Sequence, residues 1–478
     1  MSAFSVIFSS PIVGRGFRAV AFLACFSCAA ALVSAEEKER PYLSDEVGEQ
    51  LGKVRPLFDE KKWDEALVII DKVYAKAKPG SYDQAVLLNT KVQVYLSRNE
   101  FAKAIPCMEE SLRISTQFGY FEPKQNAELT YLLAQLYYSE GVAVKRSAED
   151  QRTYFIKALE HIEKWDALTT KPTIDQLQFY ASVLFNIAQS YGDAPATKAQ
   201  KITYVKRAQA QTLRALQDTI RPKEPFYMLM VACAQELADY AQMAEYLELL
   251  VSQYPSNSQY WQQLFGCYVN LAGAQAKEKD SLPYNVRAIL ALERAQAVGQ
   301  MNTPKDQYSL FSLYFNIQQY TKAAELMEAG LKSGAIEHEQ RNYEMLSFCY
   351  QQLNKELKSI DVLKRAAARF PNAGQLYFQA ANAYYSIDRY NDALESAKIA
   401  VTKGDLGQTA YKVHYFVAFL CYEMRKYQEG LAAIDKAIAL IPAGVNEPNY
   451  PKMREAILVG LEDQEKIRKA VEAQRKQR

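Results

Sequence analysis

Apolar and polar positions along this chain follow the spacing of amphipathic helices rather than that of strands. Between Tyr377 and Tyr384, small and aromatic residues fall on one helix face, and the stretch from Tyr390 to Ala400 repeats this on a second helix. The segment S-I-D-R-Y between them predicts a tight turn. Small alanines let two helices approach closely, and tyrosine rings fill the space beside them. The pattern predicts a helix–turn–helix unit.

The same unit recurs along the chain, and the small residue of its second helix marks each copy. From Ala288 onward the markers are 35, 36, 34 and 37 residues apart. Around Ala158 and Ala208 the steps are near fifty, so longer helices or loops are expected there. The markers are Ala66, Ala104, Ala158, Ala208, Ala244, Ala288, Ala323, Ser359, Ala393 and Gly430.

This arrangement resembles the tetratricopeptide repeat, a helix–turn–helix unit of about 34 residues. The resemblance implies an all-α fold, a right-handed α-solenoid of about ten such units. After Pro442 the pattern stops at a linker, and a polar helix from about Met453 to Arg478 is expected to cap the last unit. The sequence is thus divided into a signal peptide (1–35), irregular units (36–222), a regular array (223–442), and a linker with the capping helix (443–478).

The N-terminus has the pattern of an export signal. Arg18 precedes an apolar stretch over 19–33, and a small-residue cleavage site ends at Ala35. An uncleaved anchor is one alternative, although the stretch is shorter than the roughly 20 residues of a membrane span. Lipid attachment at Cys25 is another, but the residues before that cysteine match a lipoprotein signal poorly. We expect a periplasmic mature chain with no membrane span after cleavage.

Composition leaves little material for catalysis, so the chain is expected not to be an enzyme and to hold no cofactor or metal. Lys and Arg total 57 against 55 for Asp and Glu, which gives no overall field for nucleic acid. No phosphate-binding glycine loop or nucleophile elbow occurs. The histidines are expected to be packed or surface side chains, and the cysteines of the mature chain to be core residues. They are His161, His338 and His414, and Cys107, Cys233, Cys267, Cys349 and Cys421.

In tetratricopeptide proteins the first helix of each unit lines a groove that binds peptides or partner helices. The resemblance places such a groove on three successive first helices, where exposed Tyr and Phe suit protein recognition. For these rings the alternative is a bridge between neighbouring units. Asn382 alone matches the family's Lys/Asn clamp for terminal carboxylates, so capture of a C-terminal carboxylate is not expected. The candidates are Lys305, Tyr308, Ser312, Phe315, Arg341, Glu344, Phe348, Gln375, Phe378, Asn382 and Tyr385.

A finer resemblance rests on L-L-V-S-Q-Y-P-S-N-S-Q-Y-W-Q-Q-L-F-G-C-Y from Leu249, followed by A-G-L-K-S-G-A-I-E and R-N-Y-E-M-L. Over about Met228 to Ala368 the chain resembles periplasmic tetratricopeptide proteins encoded beside TonB, ExbB and ExbD in some Gram-negative bacteria. It departs from them in the insertion A-G-A-Q-A-K-E-K-D-S after Asn270 and in its long N-terminal units.

Three functions follow as hypotheses. The resemblance implies a periplasmic adaptor in a TonB-type energy-transduction and nutrient-uptake system, with TonB, ExbB, ExbD or an outer-membrane receptor as protein partner. A scaffold for outer-membrane protein or polysaccharide assembly and export is the alternative. An enzyme would need a further folded domain, for which little chain remains. Balanced charge predicts weak electrostatic steering, so affinity should rest on apolar anchors. Pairing of two chains through the tyrosine-rich faces stays open.

Overall fold

The computed structural model describes residues 41–143, 146–217 and 219–476. Its regular structure consists of α-helices and two short 3-10 turns, and these ranges contain no strand. The predicted signal peptide lies outside the described residues. In chain order the helices are α1 (Asp45–Asp59), α2 (Trp63–Tyr74), α3 (Tyr82–Ser97), α4 (Phe101–Phe118), α5 (Pro123–Gly141), α6 (Ala148–Leu168), α7 (Ile174–Ser190), α8 (Lys198–Gln217), α9 (Glu224–Glu236), α10 (Tyr240–Gln253), α11 (Ser258–Gly273), α12 (Glu278–Ala297), α13 (Pro304–Asn316), α14 (Tyr320–Ser333), α15 (Gln340–Gln352), α16 (Glu356–Arg369), α17 (Gly374–Tyr385), α18 (Tyr390–Lys403), α19 (Ala410–Glu423), α20 (Tyr427–Ala439) and α21 (Asn449–Lys476).

Consecutive helices pack in pairs, from α1 with α2 to α19 with α20, and this confirms the all-α solenoid of about ten units. Every predicted marker residue lies on the second helix of its pair and is buried. Ala208, in the irregular part of the chain, is fully buried on α8. A small residue is needed at each of these places because a larger one would separate the two helices. The unit could therefore be located from sequence by its small residues.

Contacts between Cα atoms group the chain into two compact units. One ends at Pro172 and contains α1 to α6, and the other begins at Thr173 and contains α7 to α21. Helices α5 to α8 are 17 to 21 residues long, whereas α13 to α20 have 12 to 14. The longer helices explain the marker steps near fifty. The boundary at residue 222 between irregular and regular repeats stays a prediction.

Five of the six helix pairs between residues 223 and 442 share one turn geometry, and α11 with α12 is the exception. A single residue adopts the left-handed conformation, with φ of 55° at Ala238, 51° at Asn354 and 59° at Asp388. The next N–H then donates to the carbonyl five residues earlier, as from Arg389 to Tyr384 at 3.0 Å. This bond satisfies a carbonyl at the helix end that has no partner within the helix. The cost of a left-handed residue with a side chain, about 1 kcal/mol, is offset by closing the pair.

A tyrosine–glutamate–arginine contact ties neighbouring units of the regular array together. The Tyr268 hydroxyl on α11 donates to Glu248 Oε1 on α10 at 3.0 Å, and Arg294 Nη1 on α12 donates to Glu248 Oε2 at 2.8 Å. Burial, with the adjacent Glu248 carboxylate, raises the pKa of Tyr268 to about 12. The tyrosine therefore stays a hydrogen-bond donor at neutral pH. The same three residue types meet again at Glu328, Tyr350 and Arg365.

Helix α21 covers the end of the array. Tyr450 and Ile457 are buried against the preceding pair, and the Tyr450 ring stacks on Tyr415 with centroids 4.2 Å apart. Gly460 allows close contact, because a Cβ at this position would lie 2.5 Å from the ring of Tyr427. The capping helix is confirmed, and it begins four residues before the predicted Met453.

Burial determines the protonation states of the Cys267 thiol and the His161 imidazole. The five cysteines in the described ranges are free thiols, four of them buried. Burial raises the pKa of the Cys267 thiol to about 12. His161 on α6 stacks on Tyr137, with centroids 5.5 Å apart. Burial, together with the nearby Lys164 and Lys157 charges, lowers the pKa of His161 to about 4. Its imidazole is therefore neutral at physiological pH.

Candidate functional site

Aromatic side chains on the first helices α13 and α15 form a cluster that spans two units. Phe315 near the end of α13 contacts Phe348 on α15, with ring centroids 5.7 Å apart. Tyr320, the first residue of α14, lies 5.8 Å from both rings. Phe311 and Tyr308 continue the cluster along α13. Phe315 and Phe348 thus bridge neighbouring units, which is the alternative given above for the predicted aromatic residues.

A second cluster joins α17 to α19. The ring of Phe378 lies 5.8 Å from Phe416, and that of Tyr385 lies 5.7 Å from Phe416 and 5.6 Å from Phe419. Tyr390, which begins α18, closes this cluster 5.6 Å from Tyr385. Edge-to-face contacts of this kind hold the rings in fixed orientations. The first helices α17 and α19 therefore share an aromatic cluster whose rings have fixed orientations.

Bridging does not bury all of these rings. Phe348 keeps 40% of its surface exposed, whereas Phe311 beside it is fully buried. A large apolar side chain with this exposure indicates a binding site when it lies beside polar side chains in a concave place. Phe348 meets that description, because it lies in a groove of about 720 Å³ between α13, α15 and α17. Its exposed surface is available to a partner side chain.

The groove brings together five of the eleven sequence-predicted residues, namely Phe315, Arg341, Glu344, Phe348 and Asn382. Lys305, Tyr308 and Ser312 lie on α13, and Gln375, Phe378 and Tyr385 lie on α17, but none of these six lines the groove itself. It is also lined by residues that the sequence reasoning missed: Asn316, Gln318, Tyr320, Met345, Ser347, Gln351 and Gln379. Gln318 lies in the turn between α13 and α14 and Tyr320 begins α14, so the first-helix pattern does not include them.

Hydrogen bonds orient the polar side chains of the groove. Gln340 Nε2 donates to Glu344 Oε1 at 2.8 Å, and Asn382 Nδ2 donates to the Phe378 carbonyl at 2.8 Å. The bond to its own helix directs the amide of Asn382 and leaves its side-chain oxygen as an acceptor. Exposed amides beside aromatic rings are suited to a peptide, whose backbone needs hydrogen bonds and whose side chains need apolar contact.

A smaller cavity of about 270 Å³ lies near the starts of α7 and α9. Asp175, Arg221 and Lys223 line it together with Thr173 and Phe226. Lys223 Nζ is 3.9 Å from Asp175 Oδ1, so opposite charges meet within the cavity. It lacks the exposed aromatic surface of the groove.

No group of three or more His, Cys, Asp or Glu side chains in the described ranges is placed to hold a metal ion. In the same part of the chain, no helix combines the length and apolar character needed to cross a membrane.

Comparison with solved structures returns helical repeat proteins at low similarity. YrrB, described as a TPR protein with an unusual peptide-binding site, is 16% identical. The match covers 42% of this chain and 95% of the YrrB chain, with a TM-score of 0.30. MamA from Desulfovibrio magneticus RS-1 is 17% identical over 37% of this chain and 94% of its own, with a TM-score of 0.28. The Cut9–Hcn1 structure is 11% identical over 87% and 97%, with a TM-score of 0.26. No protein-family model and no curated protein matches the chain.

Proposed function

We propose that this chain is an exported adaptor that binds an exposed segment of a partner protein in the groove between α13, α15 and α17. The observation that carries the proposal is the half-exposed Phe348, held between Phe315 and Tyr320 beside oriented amides. An aromatic side chain buries about 150–250 Å² when covered, so a partner removes roughly 60–100 Å² of Phe348 from water. At about 25 cal/mol per Å², this contributes about 1.5 to 2.5 kcal/mol.

The finer part of the proposal concerns the partner and the compartment. The sequence resemblance over about Met228 to Ala368 supports a periplasmic component of a TonB-type energy-transduction system that assists uptake through outer-membrane receptors. The balance of charge and the sparse histidines are consistent with a binding protein rather than an enzyme. A scaffold for outer-membrane assembly or polysaccharide export uses the same groove and differs only in the partner.

Site-specific crosslinking in intact cells tests both parts. A photoreactive phenylalanine analogue replaces Phe348 in the full-length chain, and in a matched control it replaces Leu357. Leu357 is 67% exposed, lies on the second helix α16 and does not line the groove. We expect a protein captured from position 348 and not from position 357. Equal capture from the two positions would contradict binding in the groove.

The identity of the captured protein decides the finer part. TonB, ExbB, ExbD or a TonB-dependent receptor supports the energy-transduction proposal. A barrel-assembly or polysaccharide-export component moves the function to envelope assembly and leaves the groove in place. Release of the chain with the periplasmic fraction, and a mature N-terminus at Glu36 by mass spectrometry, tests the export signal. A chain retained in the cytoplasm would exclude all these partners.

A further inference from the structure

Three of the four first helices from α13 to α19 carry a cation in their first turn, 18 residues before the small marker residue of the unit. The residues are Lys305, Arg341 and Lys412, and Gln375 takes the equivalent place on α17. All three cations are exposed, and within the described ranges none of them forms an ion pair. Arg341 lines the groove, whereas Lys305 lies on the first helix before it and Lys412 lies two first helices after it. We call these three residues the cationic rim.

Helix stability does not explain the cationic rim. The N-terminal end of a helix carries a partial positive charge, so cations in the first turn are disfavoured and anions are favoured. Among the second helices of these units, α14 has Lys322 and no acid in its first turn. Helix α16 follows the rule, with Glu356 in its first turn and Arg369 in its last. Helix α18 has Asp392 and Lys403 in the corresponding places. Arg341 on α15 and Lys412 on α19 lie in first turns that hold no acid, whereas Lys305 on α13 shares its first turn with Asp306.

We propose that the groove receives an acidic segment of the partner protein, with carboxylates on the cationic rim and an apolar side chain beside Phe348. This inference rests on the proposed function and specifies the chemistry of the partner. Charge complementarity is its basis, because exposed cations that form no ion pair attract an anionic ligand. The one groove-lining acid, Glu344, lies a turn further along α15 than Arg341 and accepts a hydrogen bond from Gln340.

The spacing of the rim predicts a sequence pattern in the partner. Neighbouring packed helices lie about 8–10 Å apart, and Phe315 and Phe348 show that α13 and α15 are neighbours on this face. An extended chain advances about 3.3 Å per residue, so acidic residues roughly three apart match Lys305 and Arg341. A third acid about six residues further along matches Lys412, because Gln375 interrupts the row. An extended segment with acids at this period fits the edge of the groove.

A pair of synthetic peptides tests the inference with the mature full chain. One fluorescent peptide of roughly twelve residues has glutamate at every third position and one phenylalanine, and its twin has glutamine for each glutamate. We expect the glutamate peptide to bind at least about fivefold more tightly at about 50 mM salt, and most of that advantage to vanish at about 500 mM. Arg341→Glu should weaken it about fivefold. The matched control is Lys332→Glu on α14, which replaces an exposed cation in the last turn of a second helix. This variant should leave the affinity for the glutamate peptide unchanged.

The outcomes separate this inference from the proposed function. Equal binding of the two peptides, both weakened by Phe348→Ala and neither by Arg341→Glu, would overturn the acidic segment and keep the groove. Binding of neither peptide also overturns it, while crosslinking at position 348 reports on the groove independently. Phosphatidylglycerol vesicles or an oligonucleotide binding with the same Arg341 dependence, in place of the peptide, would assign the rim to a different anion. A melting temperature lowered by several degrees in Arg341→Glu would make the arginine structural.

Discussion

Gly374 should be the glycine least tolerant of alanine in the regular array. A Cβ at this first residue of α17 would lie 2.1 Å from the Gly404 carbonyl oxygen and 2.5 Å from that of Ala400. Both obstacles are backbone atoms at the end of α18, so no side chain can move aside. The Gly374 N–H also donates to the Gly404 carbonyl at 3.1 Å, a bond that separating the two segments would stretch. Overpacking of this kind costs typically about 1–3 kcal/mol, and we expect Gly374→Ala near the upper end.

Gly266→Ala is the matched control, and we expect it to change the stability in the opposite direction. Gly266 lies inside α11, with no atom within 4 Å of the place a Cβ would take. Alanine in a helix interior is favoured over glycine by about 1 kcal/mol, so Gly266→Ala should stabilise the protein. Urea unfolding followed by circular dichroism measures both. With a slope of about 2 kcal/mol per M, Gly374→Ala lowers the midpoint by about 1 M and Gly266→Ala raises it slightly. Gly374→Ala at or above the wild-type midpoint would refute the packing argument.

Three further perturbations have expected results. Ala238→Gly should stabilise the protein by about 0.5–1 kcal/mol in urea unfolding, because Ala238 has φ of 55° and glycine adopts it freely; a loss would mean that its methyl group packs. Ser359→Ala should destabilise by about 1–2 kcal/mol, because it leaves the buried Ser347 hydroxyl, 2.7 Å away, without this partner. Adding Ser347→Ala should recover most of the lost stability, because no unpaired hydroxyl then remains. If the losses of the two single variants add in the double variant, the two serines do not stabilise the protein as a pair. Burial lowers the pKa of His161 to about 4, so the unfolded chain binds its proton below about 6.5 and the folded chain does not. Stability should therefore fall as pH drops from about 6.5 to 4, by about 1 kcal/mol at pH 5 after discounting for solvent, and His161→Phe should remove that part of the pH profile.

Net charge and local charge lead to different expectations for binding. The chain as a whole has a formal net charge of +2, which predicts weak dependence on salt. The cationic rim places one exposed cation, Arg341, in the groove itself, where screening acts over about 10 Å at 0.1 M salt. Binding that weakens with salt in the wild type but not in Arg341→Glu would assign the effect to the rim.

The alternation of small and aromatic positions determined much of this fold. A helix pair needs a small residue where its helices cross, and that requirement is local enough to be visible at Ala323 or Ala393 in the sequence alone. The number of units, the position of the cap and the longer N-terminal helices follow from the same spacing. Turn closure was less visible, because the left-handed residues are as different as Ala238, Asn354 and Asp388.

The composition of the groove was decided by tertiary structure. Phe348 and Asn382 come from different units, and Tyr320 begins a second helix, so their meeting depends on how successive pairs stack. The contact of Glu248 with Tyr268 and Arg294 likewise joins residues 20 and 46 positions apart in three helices. Local periodicity places a side chain on a helix face but does not state which residue of the next unit will face it. The sequence by itself therefore determined the units, and their stacking decided which side chains meet, because those contacts depend on distances between helices that no single helix contains.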